Sequence, residues 1–280
     1  MIIIQHIVTM NSNHKTIVLA KEIRKLSLQM VFNAKASHIG GSLSMADILA
    51  VLYSNVLRFN ASDPYNPNRD RFLLSKGHAC TGLYAALALK GFFSVEDLSS
   101  YATDGSIFLS HTNHKIPGVE ISAGSLGHAL PVSCGLAIAA KRKKKKWKTY
   151  CLVSDGELDE GSNWETILFA PQLKLDNLIL IIDYNNIQSM GAVKDVIDLN
   201  PLKDKFTAFR WEIFEVNGHD HQALKDVFVR AQKLNGIPKV IIAHTIKGKG
   251  ISFMEDKLLW HYKSPDEEQF NQAIKELNKQ

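Results

Sequence analysis

Two polar clusters, Ser154-Asp155-Gly156 and Asn185-Asn186, close apolar runs roughly thirty residues apart in this 280-residue chain. A carboxylate and an amide are hard oxygen donors, and such donors suit Mg²⁺, which commonly shares its octahedral shell with phosphate oxygens. The intervening sequence dictates how the two are positioned. Lys148 to Val153 predicts a strand, Glu160 to Leu173 a helix, and Leu178 to Asp183 a buried strand of consecutive apolar residues closed by an Asp. Read as one βαβ unit, this segment puts both polar groups at carboxyl ends of parallel strands, where open α/β sheets hold their ligands. The chemistry to expect is a divalent metal held against a diphosphate.

Elsewhere helices alternate with short apolar strands, with no linker or repeat between them. Leu19, Ile23, Leu26 and Met30 follow helical spacing. So do Met45, Ile48, Leu49, Leu52 and Val56, in a helix that Ser44 is expected to cap with Asp47 three residues later. Phe72 to Leu74, Tyr150 to Val153, Leu178 to Ile182, Glu212 to Val216 and Val240 to Ala243 read as strands, and each runs into polar residues. The predicted architecture is α/β: a three-layer αβα arrangement around a mostly parallel sheet with one functional edge. A single domain over 1–280 is expected, with 1–12 as a disordered start.

Several ordered motifs resemble the transketolase family. Asp155-Gly156-Glu157-Leu158-Asp159-Glu160-Gly161 with Asn185-Asn186-Ile187 looks like its thiamine diphosphate motif. Ser37-His38-Ile39-Gly40-Gly41-Ser42-Leu43-Ser44, Leu74-Ser75-Lys76-Gly77-His78-Ala79, Ile116-Pro117-Gly118-Val119-Glu120 and Gly124-Ser125-Leu126-Gly127 match in order, so the likeness spans roughly residues 20 to 265. The resemblance implies the thiamine diphosphate-binding fold in its diphosphate-binding form. It implies thiamine diphosphate and Mg²⁺ as cofactors, with Ca²⁺ or Mn²⁺ as substitutes. The metal ligands implied are Asp155, the Asn185 side chain and the Ile187 carbonyl; Asn185 is preferred because its distance to Gly191 matches the family's Asn-x-Ile…Gly pattern, with Asn186 as the alternative one residue on. Gly156 and Glu157 are expected against the diphosphate and aminopyrimidine. Gly124, Ser125 and Leu126 are expected to flank the cofactor, Leu126 through apolar contact. Glu160 resembles the family's interface glutamate, and a plain helix amino-terminal charge reads equally well.

His38, His78, His111 and His261 fall where transketolases place active-site histidines, and His78 is expected to touch the cofactor as well. Imidazoles suit ketol transfer because neutral and charged forms are both accessible near pH 7, so they can relay protons to substrate hydroxyls. A lone histidine is as readily structural as functional; four at matching positions favour function. The glycine turn before an Ala-rich helix lets backbone N–H groups approach anionic oxygen, although a tight packing turn would look the same. Lys247-Gly248-Lys249-Gly250 reads either as a loop near the cofactor mouth or as a plain surface turn. Two departures from the family pattern stand out, Ser154 in place of a glycine and Ile39 in place of a proline, and neither removes a ligand.

The resemblance also implies a partner. Longer family members carry two further domains, and the glutamate that protonates the aminopyrimidine lies in the pyrimidine-binding domain, absent from these 280 residues. The expectation is therefore the amino-terminal subunit of a split transketolase, active with a carboxyl-terminal partner subunit in an α2β2 assembly on sugar or sugar-phosphate substrates. Subunits of other thiamine diphosphate enzymes, decarboxylating 2-oxoacids or forming deoxyxylulose phosphate, are the alternatives, as is a non-catalytic regulatory homologue. Composition excludes other classes. There is no apolar run of about 18 residues for a membrane span. The net charge of +5 is outweighed by Lys141 to Lys148, which alone holds seven positive charges at an element junction, where charge runs face water. That loop lacks the stripe and aromatic platform of a nucleic-acid binder. Three scattered cysteines, Cys80, Cys134 and Cys151, read as buried free thiols in a cytoplasmic protein.

Overall fold

The long apolar runs of this chain need cover on both faces of any sheet they form, which is the condition for parallel pairing. The computed structural model, which describes residues 12–279, meets it. Helix α1 (Ser12–Ala34) leads through the short α2 (Ile39–Ser44) and α3 (Ala46–Val51) to strand β1 (Arg71–Leu74) and α4 (Cys80–Leu89). A long connection then reaches α5 (Ala129–Arg142) and β2 (Thr149–Ser154). A βαβ unit follows, with α6 (Gly161–Gln172) leading into β3 (Leu178–Tyr184). A small hairpin, β4 (Ile187–Gln188) and β5 (Gly191–Ala192), precedes α7 (Val193–Val196), α8 (Leu202–Ala208), β6 (Glu212–Asn217), α9 (His221–Ala231), β7 (Lys239–His244) and α10 (Glu267–Lys279).

The five strands order as β1-β2-β3-β7-β6, all parallel. Side chains alternate across each strand, and that alternation builds the layers. Phe72, Leu74, Ile179 and Ile181 join one core, shared with α3, α4 and α9. Leu73, Leu178, Leu180 and Ile182 join the other, beneath α5, α6 and α8. The β2-to-β3 crossover uses the second face, and the reversed β6-to-β7 crossover uses the first, as right-handed connections require. Helix α10 packs on α1, where Phe32 and Phe270 stack at 4.3 Å.

The three-layer expectation holds, and so do all five strands, each a residue or two longer than its apolar run. The cap does not: the Ser44 hydroxyl makes no cap bond at α3 and instead donates to Asp183, 2.5 Å away, while Asp47 turns to Arg24. Of the expected disordered start, all but Ser12, which opens α1, lies outside the described residues. Residues 141 to 146 are exposed, as a solvated basic loop should be, and Cys80, Cys134 and Cys151 are free and buried. Among the described residues no helix is long and apolar enough to cross a membrane.

Candidate active site

Registration of the ladder sets the site. Ser154 at the end of β2 pairs with Asp183 of β3, and Tyr184 pairs with His244 of β7. The residues just beyond these ends, Asp155, Asn185 and Thr245, therefore emerge side by side at one carboxyl edge. A cleft of about 130 Å³ opens there, into which Lys76, Asp155, Asn185, Ile187, Lys247 and His261 face.

Asp155 is buried, and both of its oxygens accept backbone N–H groups: Gly156 N at 2.8 Å on Oδ1 and Asn186 N at 2.5 Å on Oδ2. Burial, and then the charge of Asp183, push its carboxyl up to about 6. Each oxygen keeps a lone pair beyond its N–H. The Asn185 Oδ1 accepts from Ile187 N at 3.2 Å, and the Ile187 carbonyl accepts from the Lys247 ammonium at 2.8 Å. A carboxylate, an amide oxygen and a carbonyl that already accommodates a cation form a donor set that fits a hard divalent ion. Lys247 lies in this cleft between two strand-end loops, and burial brings its ammonium down to about 8. Lys76, 1 % exposed, is the second fixed cation and donates to the Gly41 carbonyl at 2.9 Å.

The four histidines converge. The ring of His38 lies 5.0 Å from that of His78, 5.1 Å from His261 and 6.2 Å from His111, and His78 lies 5.5 Å from His261. His38 sits at φ 74, a left-handed conformation uncommon outside glycine, and its N–H donates to the His261 carbonyl at 3.0 Å. Burial, followed by the charges of Lys76 and other neighbours, holds His78 well below its ordinary value; burial and then Lys247 bring His261 to about 3. His38 is lowered by burial and then by His111. These three rings are therefore neutral at pH 7. The Lys247 ammonium, 3.0 Å from His261 Nδ1, can only donate, so His261 carries its proton on Nε2.

The glycine turn borders the cleft unevenly. Leu126 lines it, Gly124 and Ser125 are exposed, and a Cβ on Gly124 would stand 3.9 Å from the His111 ring. Gly127, at φ 81, admits no side chain: a Cβ would meet Ser162 Oγ at 2.5 Å. Gly156 likewise lets the β4 hairpin close, because a Cβ there would stand 2.5 Å from that of Gln188. Glu157, expected against the diphosphate and aminopyrimidine, is fully buried and is not among the residues lining the cleft; it accepts from the Ser75 hydroxyl, from Gly127 N at 2.9 Å and from Ser154 N at 3.4 Å. The Ser154 hydroxyl, the departure from a glycine, accepts from Glu157 N at 3.3 Å. Glu160 is exposed at the head of α6 and makes no side-chain cap bond.

Lys76 and Asp183 received no role from sequence, although Lys76 stands inside a matched motif. Asp183 reads as one more strand-end polar residue, and nothing in its spacing announces a buried ion pair with a residue 107 positions away. His219 and His221, without a functional case in sequence, bond Asp47 at 2.6 and 3.0 Å.

A parallel sheet whose carboxyl edge carries this oxygen set, two buried cations and a histidine cluster defines a class of diphosphate-binding α/β domain. Residues 15–277 match the family described as transketolase, thiamine diphosphate binding domain, and the chain belongs to it. It is 45% identical over 260 residues to an apulose-4-phosphate transketolase subunit of Actinobacillus succinogenes, covering 92% of this chain and 94% of that one. It is 41% identical over 255 residues to the protein of the same name from Phocaeicola vulgatus, covering 91% of each. Among solved structures, the transketolase of Campylobacter jejuni superposes with a TM-score of 0.90 at 35% identity. That match covers 96% of this chain but 43% of the Campylobacter enzyme, so the chain spans less than half the length of that solved relative.

Proposed function

We propose that this chain is the amino-terminal subunit of a thiamine diphosphate- and Mg²⁺-dependent transketolase, moving a two-carbon ketol unit from a ketose donor to an aldose acceptor. The observation that carries the reading is that His78 and His261 line one cleft with Asp155, Asn185 and Ile187, and that His38 and His111 join those two rings in a single histidine cluster. Thiamine diphosphate, when bound, supplies the electron sink for carbon–carbon cleavage, and the protein supplies binding, orientation and electrostatics.

Asp155, the Asn185 amide oxygen and the Ile187 carbonyl would hold the metal, with Ca²⁺ or Mn²⁺ able to replace Mg²⁺. The Gly124-Ser125-Leu126 turn, Gly156 and His78 would border the cofactor, and Glu157 would fix that border from below. Neutral His38 and His78 can each accept a hydrogen bond from a sugar hydroxyl or donate one to its oxygen, His261 can donate through Nε2, and His111 stands beside them. A second subunit carrying the pyrimidine-binding domain would close the cleft, with Glu160, exposed at the head of α6, at the contact of an α2β2 assembly. Relatives named as transketolase subunits, matched over nine-tenths of their length, support the two-subunit form. The buried free thiols suit the reducing cytoplasm.

The test is a thermal shift of the chain with its partner subunit, followed by a donor screen that includes apulose 4-phosphate, after the names of the relatives. Thiamine diphosphate with Mg²⁺ should raise the unfolding temperature, since a ligand bound only by the folded state must stabilise it. Asp155→Ala should remove the shift and leave the fold intact. A wild-type complex whose melting ignores both ligands would sink the reading.

A further inference from the structure

We propose that Asp183, held by Lys76, Ser44 and Thr245, is a positioning residue that keeps the Asn185 amide turned with its oxygen toward the metal site. The inference rests on the ligand set proposed above. Asp183 is fully buried at the end of β3 and gathers donors from four segments. The Lys76 ammonium and the Ser44 hydroxyl meet Oδ2, and the Thr245 hydroxyl meets Oδ1. The fourth donor is Asn185 Nδ2, 3.4 Å from Oδ2.

That last contact is long, and its orientation is nevertheless determined. If the amide were flipped, Asn185 Oδ1 would face a carboxylate oxygen, and Nδ2 would face the Ile187 N–H now 3.2 Å from Oδ1. Both contacts would become mismatched, acceptor against acceptor and donor against donor. Asp183 and the Ile187 backbone thus lock the amide from two sides.

Stability does not account for the pair. Lys76 and Asp183 are 1 % and 0 % exposed in their side chains. Replacing a buried ion pair by apolar groups of similar volume is often neutral or stabilising, because desolvation of the two charges offsets their attraction. An ion pair on the floor of a cleft, bonded to a ligand residue, has an orienting use instead. Lys76 and Ser44 both donate to Oδ2, so that oxygen is held as an acceptor and meets the N–H₂ end of Asn185 rather than its oxygen. Outer partners that orient metal ligands typically change metal affinity 10–100-fold when removed.

The experiment uses the full chain with its partner subunit. Thiamine diphosphate uptake is followed by titration calorimetry at graded Mg²⁺, and unfolding temperature is measured without ligand, for wild type, Asp183→Leu and Lys76→Met/Asp183→Leu, which leave Asn185 no acceptor at this position. The Mg²⁺ needed for half-maximal uptake should rise about 10–100-fold in both variants. The double variant removes both buried charges together and keeps the measurement interpretable if the single one unfolds. A folded variant that takes up cofactor at the wild-type Mg²⁺ concentration, whatever its melting temperature, overturns the proposal, because a merely structural pair would shift melting and leave the metal requirement alone. A wild-type complex that takes up no cofactor at any Mg²⁺ concentration overturns the underlying ligand set, and that outcome is visible before any variant is made.

Discussion

Replacing Glu157 by glutamine changes one oxygen into an N–H₂ at a point where three loops are tied together. The carboxylate accepts from Ser75 after β1, from Gly127 before α5 and from Ser154 at the end of β2. A glutamine oxygen can keep Ser75 and Gly127, and its nitrogen then faces the Ser154 N–H, donor against donor. A part-buried backbone N–H left facing a donor costs up to about 1–3 kcal/mol. At about 2–4 °C per kcal/mol for a chain of this order, the unfolding temperature should fall by roughly 2–12 °C. Gly127 carries Leu126 into the cleft, so cofactor half-saturation should also rise in the assembled complex. Differential scanning calorimetry reads the first effect and cofactor titration the second. Unfolding within about a degree of wild type, together with unchanged half-saturation, would refute the assignment of Glu157 as the tie beneath the turn.

Asp47→Ala strands the Arg24 guanidinium, 5 % exposed and paired to Asp47 through both terminal nitrogens. Breaking such a buried pair costs about 3–5 kcal/mol, and a loss below about 1 kcal/mol in urea unfolding would contradict the burial argument. His111→Ala should leave cofactor binding intact and slow turnover of the complex by about 10²–10⁴; equal turnover would return His111 to a structural role. His261 titrates near 3 in the fold against an ordinary 6.5, so the unfolded chain takes up its proton first. The stability present above pH 6.5 should therefore be lost as pH falls from there toward 3. Asp155, raised to about 6 from 3.8, acts in the opposite sense between those values, being most favourable at low pH. Comparing urea midpoints of wild type and His261→Gln at pH 7.5 and 4.5 isolates the histidine, and identical pH dependence in the two would count against its neutral state.

Much of the architecture was legible because strand and helix signals are local. Leu178 to Ile182 reads as a doubly covered strand, and Leu19 to Met30 as a helix with a buried apolar stripe. The polar residues that end each run marked the functional edge for the same reason, since a parallel sheet brings all its carboxyl ends together. His38, His78, His111 and His261 were legible through their motifs, and the fold brings the other three rings within 6.2 Å of His38 in one linked cluster. Ser44 was misread because a serine before an apolar helix carries the cap signal whether or not a stronger acceptor waits elsewhere. Asp183 is that acceptor, 139 positions away.

By itself, then, the sequence determined the strands, the sheet class, the family and the residues at the ligand edge, all of which depend on periodicity and on short ordered motifs. Tertiary structure alone decided which of the polar residues are buried and against what. It put Lys76 on Asp183, Lys247 on the Ile187 carbonyl, and Asp47 between Arg24 and two histidines. Burial removes water from a charge, and the groups that must then replace that water are chosen by neighbours in space, which hydropathy along the chain does not encode.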